Sequence, residues 1–186
     1  PLEMIVYFGC VCRFKPLSWL VKIYISIMRG TPLMLQLLIW YFGPFYLWGM
    51  NIGGYKFTAI ILGCSLNYAA YFAEIYRSGI ESIPTGQYEA AQLLGYTRVQ
   101  TFFKIVLPQV VKIVLPSVTN EVITLVKDTS LVYSVSYIEM FAVAKQIAAA
   151  QTTVVPFFIA GIFYYVFNYV VAWVMELFEK KLNYYR

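Results

Sequence analysis

From Val154 to Met175 the chain carries no charged side chain, and no other feature restricts its possible folds as much. A helix that crosses a bilayer needs about 20 predominantly apolar residues, because lipid offers the backbone no hydrogen-bonding partner outside its own helix. Comparable runs extend from Pro32 to Trp48, from Phe57 to Ala73 and from Pro108 to Val126. Hydrophobic residues make up 61% of the 186 and charged residues 12%, against about 25% charged in a soluble domain. The implied class is an all-α integral membrane protein, one domain over residues 1–186.

Composition also excludes chemistry. No histidine occurs, which removes Ser-His-Asp and Cys-His catalysis and histidine metal sites. Cys10, Cys12 and Cys64 lie in apolar runs and read as small buried residues. With no histidine and no paired acidic cluster, the chain reads as a non-enzyme. The net charge of +5 matters less than where the charges sit, and nucleic acid is not an expected partner.

Residues 2 to 12 are apolar but too short to span, and lack the charged start of a signal peptide. They read as the tail of a first membrane helix whose beginning is missing. From Leu17 to Met28, Ser18, Lys22 and Ser26 repeat at helical spacing, with Arg29 next, against an apolar face, the pattern of a helix lying at the membrane surface. Thr31 and Pro32 suit the cap and first turn of the next helix. Asn51 to Gly54 reads as a tight turn. The third span, about Phe57 to Ala73, has a small-residue surface of Gly63, Cys64, Ser65, Ala69, Ala70 and Ala73, which permits close helix approach. The fourth, about Pro108 to Val126, is expected to kink at Pro116. Segment 129–138 reads as re-entrant, 139–151 as a surface helix and 154–175 as the last span. Eleven of the fourteen basic residues, Arg13 and Arg186 among them, fall on one side of this topology; Lys56, Lys127 and Lys145 fall on the other. The richer side, with the 77–107 loop and the C-terminus, is expected to be cytoplasmic.

That loop carries the most specific motif. A short helix is expected from about Gln87 to Leu94, with Glu89 in its first turn against the positive end of the helix dipole. Ala90 and Ala91 leave a smooth surface for a partner, and Gly95 suits a left-handed helix end. The order Glu89-Ala90-Ala91, three residues, Gly95, nine residues, Ile105-x-Leu107-Pro108 resembles the EAA loop of the membrane subunits of ABC importers. Asn120-Glu121, Lys127-Asp128-Thr129-Ser130-Leu131 and Arg29-Gly30-Thr31-Pro32 are similar to the polar amino-acid branch of that family (histidine, glutamate, glutamine, arginine and opine importers). The resemblance implies a type I ABC importer transmembrane-domain fold of about five spans, the first truncated, in the bacterial cytoplasmic (inner) membrane. It implies that Glu89, Ala90, Ala91 and Gly95 dock an ATP-binding subunit. It further implies two such ATPases below a pair of permease subunits, identical or homologous, an extracytoplasmic substrate-binding protein, an amino-acid cargo and an alternating-access mechanism. No G-x-x-x-x-G-K-[ST] loop occurs here, so ATP and its Mg are expected on the partner, with no cofactor in this chain.

Candidate path residues follow from polarity inside spans. Glu121 lies about 13 Å along a helix from Lys112 and about 9 Å from Lys127, well inside the bilayer. An intramembrane carboxylate is costly and is a functional-site hypothesis by default. Ser117, Asn120, Glu121, Thr124 and Asp128 recur on one helical face, as the wall of a watery path requires. A fixed carboxylate suits the ammonium of an amino acid; a structural bond joining two helices is the alternative. Asn67 and Tyr68, midway along the third span, are open to both readings, as are Gln36 and Asn168. Lys127 and Asp128 read as a gate or structural pair. Another small solute, a compatible solute or an opine, is an alternative cargo. A channel or secondary transporter without an ATPase is an alternative class, which the loop motif opposes.

Overall fold

The computed structural model describes residues 2–11, 15–51 and 53–182; Cys12, Arg13 and Arg186 lie outside the described residues. Helices α1 (Leu2–Val11), α2 (Lys15–Gly30), α3 (Leu33–Trp48) and α4 (Lys56–Glu81) come first. The short α5 (Thr85–Leu93) and α6 (Arg98–Thr101) follow. A π-helical stretch, Phe102–Val106, joins α6 to α7 (Leu107–Asp128). A 3₁₀ segment, Thr129–Val135, leads to α8 (Met140–Gln151) and α9 (Val155–Leu182). All regular structure among the described residues is helical.

Helix α4 is the hub, packing against α1, α2, α3 and α7. Its small residues make that possible. Ala59, Ala70 and Ala73 are at most 1% exposed. A methyl group added at Gly63 would lie 2.9 Å from Leu37 Cδ2, and one at Gly79 only 2.3 Å from Val114 Cγ1. Without side chains there, α3 and α7 approach the α4 backbone closely. Leu33, Leu37, Ile60, Tyr68, Val132 and Val135 form one core cluster, and Ile83, Val106, Val110 and Val114 another. Cys10 packs with Ile25, Ala70 and Ala73 in a third.

Helices α2 and α3 meet at 109° across Gly30-Thr31-Pro32. Proline has no amide proton and biases the preceding residue away from helix, so the backbone must break there. The break frees carbonyls that lipid cannot satisfy. Buried Gln36 donates to Met28 O at 3.0 Å and Thr31 O at 3.1 Å, and buried Asn67 donates to Met28 O at 3.1 Å and to Gln36 Oε1 at 3.0 Å. Thr31 does not cap α3 as expected. Its hydroxyl donates back to Ile27 O at 2.8 Å, and Pro32 holds the N-cap position with no side-chain bond.

Three helical segments of the described residues are long and apolar enough to cross a membrane: Lys56–Glu81, Arg98–Val135 and Val155–Lys181, or four if α2 and α3 together form one bent span. Helix α3 alone, 16 residues, falls short. Two spans run beyond the limits expected for them. α4 continues from Ala73 to Glu81 on the pairs of Arg77 with Glu74 and Glu81, and α9 continues to Leu182 past a Glu176–Lys180 pair at 2.7 Å. Nor does α7 begin afresh at Pro108. Pro108 cannot donate to the Lys104 carbonyl, so the chain passes from α6 into α7 through the π stretch, Leu107 N–H donating to Phe102 O. The helix then runs through Pro116 without interruption. The 3₁₀ segment packs on α3, and α8 is capped by Glu139, whose carboxylate accepts from the Phe141 and Ala142 amides at 2.6 Å each. Asn51 turns the chain as expected, accepting from Gly53 N at 3.0 Å.

Candidate functional site

Where the α2–α3 break faces the middle of α4 and the second half of α7, a cavity of about 450 Å³ opens. Helix α4 contributes Asn67, Tyr68 and Tyr71; α7 contributes Glu121, Thr124 and Asp128; the break contributes Arg29. A helix that stops at Gly30 leaves Arg29 at the rim of the gap rather than within a packed face. The Tyr68 hydroxyl donates to Asp128 Oδ2 at 2.8 Å, joining α4 to the end of α7. Asp128 makes no ion pair with Lys127: neighbours on a helix point about 100° apart, and only Asp128 faces the cavity. Glu121 lines the cavity and forms no hydrogen bond or ion pair with another side chain among the described residues.

Arg29 has two contacts within reach. Its guanidinium carbon lies 5.5 Å from the centre of the Tyr71 ring, and Nη1 lies 3.7 Å from Glu74 Oε1. Glu74 is also held by Arg77, which reaches on to Glu81 at 2.6 Å. A second cavity of about 350 Å³ shares Arg29, Tyr71 and Glu121 with the first and adds Glu74, Arg77, Ser78 and Ser117. The two form a polar strip along α4 and α7 towards α5, with cation and carboxylate on facing helices. The charges are complementary to those of a zwitterion, a guanidinium being able to pair a carboxylate and Glu121 or Asp128 an ammonium.

The structure therefore brings Tyr68, Glu121, Thr124 and Asp128 together around one cavity and sets Ser117 on its extension. Asn120 is exposed and lines neither. The amide protons of Asn67 are committed to Met28 O and Gln36, so Asn67 and Gln36 hold the break. Asn168 donates to Tyr164 O of its own helix at 2.8 Å. Arg29 was not among the candidate path residues. Its signal was its position directly before Gly-Thr-Pro, where a helix must end inside an apolar stretch.

The 77–107 loop forms a second candidate site. Helix α5 begins at Thr85 rather than Gln87, because Pro84, with its fixed φ, suits the turn into a helix, so Glu89 lies in the second turn and no acid occupies the first. The C-terminal end follows expectation: Gly95 has φ +77°, Gly95 N–H donates to Gln92 O and Tyr96 N–H to Ala91 O, both at 3.0 Å, the Schellman arrangement. Helix α5 has two faces. Ala91 is 1% exposed and belongs to the interior, whereas Glu89 and Ala90 are exposed and Leu93 is 90% exposed. Of the paired alanines, only Ala90 is presented outward, beside a large apolar side chain. Gln87 and Gln109 exchange hydrogen bonds across to α7, Gln87 Nε2 to Gln109 Oε1 at 3.0 Å and Gln109 Nε2 to Gln87 Oε1 at 2.6 Å.

Comparison with known proteins shows the family and the fold. The family described as "Binding-protein-dependent transport system inner membrane component" matches residues 5–184. The arginine transport system permease protein ArtQ of Bacillus subtilis is 39% identical over 93% of this chain and 78% of its own length. The L-cystine transport system permease protein TcyB of the same organism is 34% identical over 99% and 78%. The octopine permease OccM of Rhizobium radiobacter is 38% identical over 96% and 77%. A crystal structure of an amino acid ABC transporter with histidines superimposes with a TM-score of 0.86 at 31% identity, over 97% of this chain and 83% of that one. The methionine transporter MetNI, in an inward-facing form, shares the fold with a TM-score of 0.75 at 19% identity, over 98% and 84%.

Proposed function

The chain belongs to the family of binding-protein-dependent transport system inner membrane components, and from that premise we infer that it carries amino acids between Arg29 and the carboxylates of α7. It is the permease subunit of an amino-acid ABC importer, built on the type I importer fold. The observation that carries the cargo assignment is the cavity, in which one guanidinium faces two carboxylates across a gap wide enough for a small solute. One cation and two carboxylates favour a zwitterion with a further positive group over an acidic cargo. Glu121, with no hydrogen bond or ion pair to another side chain among the described residues, is the acceptor for an ammonium. Octopine retains the amino-acid carboxylate and a guanidinium, so the opine alternative satisfies the same contacts.

The remaining roles rest on the loop. A separate ATP-binding subunit docks on the exposed face of α5, with Glu89, Ala90 and the Gly95 turn presented to it. ATP and Mg stay on that partner. Two ATPases below two permease subunits, with a binding protein outside, complete the importer. The excess of basic residues on the α5 side supports a cytoplasmic position for the loop in the inner membrane. Alternating access then consists of opening the strip beside Glu121 first outward and then inward.

The test is the ATPase activity of the co-purified complex with its binding protein, over a panel of L-arginine, L-cystine, L-glutamine, L-glutamate and octopine. Basic and zwitterionic ligands are expected to stimulate, L-glutamate least. Stimulation by L-glutamate alone would remove the charge assignment of the cavity. Uptake into vesicles lacking the ATPase would favour the channel reading.

A further inference from the structure

We propose that the reciprocal amide pair of Gln87 and Gln109 is the joint that turns displacement of α5 into movement of α7, and with it of Glu121 and Asp128. The proposal rests on the reading that an ATPase docks at α5. Three observations carry it. The two amides exchange bonds of 3.0 and 2.6 Å between residues 22 apart in sequence, and both are part-buried. Gln109 Nε2 also donates to Ile105 O at 2.8 Å, so both its protons are engaged and its side chain is locked in one orientation. Ile105 lies in the π stretch, the place where the helix carrying the cavity carboxylates is least regular and most easily re-registered.

Ile83 and Tyr88 pack in one cluster with Val106 and Val110, which holds the two elements together. Paired hydrogen bonds are directional, so they fix register as well as distance. From Gln109 the continuous α7 reaches Glu121 after about 18 Å and Asp128 after about 28 Å, at ~1.5 Å per residue. A push on α5 enters α7 at its foot and emerges at the cavity wall. Gln87 and Gln109 thus act as positioning residues, bonded to one another and lining neither cavity.

The experiment uses the whole importer, permease with ATP-binding subunit and binding protein, reconstituted in vesicles. L-Arginine, L-cystine or L-glutamine serves as probe, whichever stimulates the wild-type ATPase. Gln87→Met and Gln109→Met keep side-chain length and helix propensity and remove the amides. Each is expected to retain ATPase subunits at wild-type stoichiometry and basal hydrolysis, while cargo moved per ATP falls about tenfold, the effect of losing a part-buried hydrogen-bonded link. The pair Gln87→Glu with Gln109→Lys restores a polar link and is expected to recover most of the coupling. Unchanged cargo per ATP in the methionine variants overturns the proposal. So does loss of the ATPase from variants that purify folded, which would make the pair part of the docking surface, and so does a charge-exchanged pair that folds without restoring coupling. Glu89→Lys, run alongside, separates the two levels. Retention of the ATPase there removes the docking reading, and the joint with it, whatever the glutamine variants do.

Discussion

The Tyr68 hydroxyl and Asp128 Oδ2 lie 2.8 Å apart, bridging the middle of α4 and the last residue of α7. That bond closes the cavity at the end away from α5, and it ties the path to the core cluster in which Tyr68 is buried. Tyr68→Phe leaves Asp128 without its donor and is expected to cost about 1–3 kcal/mol, nearer the lower figure because the cavity admits water. The check is a double-mutant cycle with Asp128→Asn, read by denaturant unfolding in detergent. Coupling of about 1 kcal/mol is expected, and strict additivity would mean that the bond does not support the fold.

Glu121→Gln separates transport from stability. Because Glu121 makes no side-chain hydrogen bond or ion pair among the described residues, neutralising it is expected to change stability by less than about 0.5 kcal/mol. Uptake of whichever amino acid of the panel stimulates the wild-type importer is expected to fall about tenfold, the loss of one charge-assisted contact. Equal losses in stability and transport would identify a helix-joining role.

Arg29→Lys keeps the charge and loses the fork. A carboxylate held by two parallel N–H bonds is not matched by a single ammonium, and stacking of the guanidinium on Tyr71 is lost as well. The apparent affinity of the reconstituted importer for its cargo is expected to weaken several-fold, on the order of 1 kcal/mol. Full retention would show that Arg29 serves only its contact with Glu74.

Gly79→Ala places a methyl where Val114 Cγ1 would be 2.3 Å away. Over-packing of this kind costs about 1–3 kcal/mol. Val114→Ala in the same chain is expected to recover much of it by vacating the space. Gly86→Ala is the control: nothing lies within 4 Å of the added methyl, and the helix gains up to about 1 kcal/mol from propensity. Unfolding midpoints of the three variants and the parent give the comparison.

Glu89→Lys reverses a charge on the exposed face of α5. Stability is expected to stay within about 0.5 kcal/mol of the parent, as for other surface changes. The ATP-binding subunit is expected to be absent after affinity purification of the permease. Its presence would move the docking site elsewhere.

The spans were legible because the bilayer imposes a length and a polarity that local sequence must satisfy. The α5 turn was legible because Gly95 answers a local backbone demand, φ +77°, at a fixed distance from the helix start. The polar face of α7 was legible as a period, and four of its five members line the polar strip. Other features escaped. The first turn of α5 was displaced by two residues because Pro84 and Gly86 make no strong apolar pattern. Pro108 looked like a helix start, yet the loss of one amide bond was absorbed by a π stretch inside a longer helix. Asn67 was open to a path role and a helix-joining role; it lines the cavity, and its amide protons go to Met28 O, 39 residues away in sequence, and to Gln36 Oε1.

By itself the sequence determined class, three of the spans and the turn that closes α5, since each follows from local conditions: hydropathy over one helix and a glycine at one turn. Only the tertiary structure decided which polar groups are free and which are engaged. That depends on what lies across a helix interface, where Arg29 meets Glu74 and Tyr71, Tyr68 meets Asp128, Gln87 meets Gln109, and Glu121 has no side-chain hydrogen bond or ion pair among the described residues.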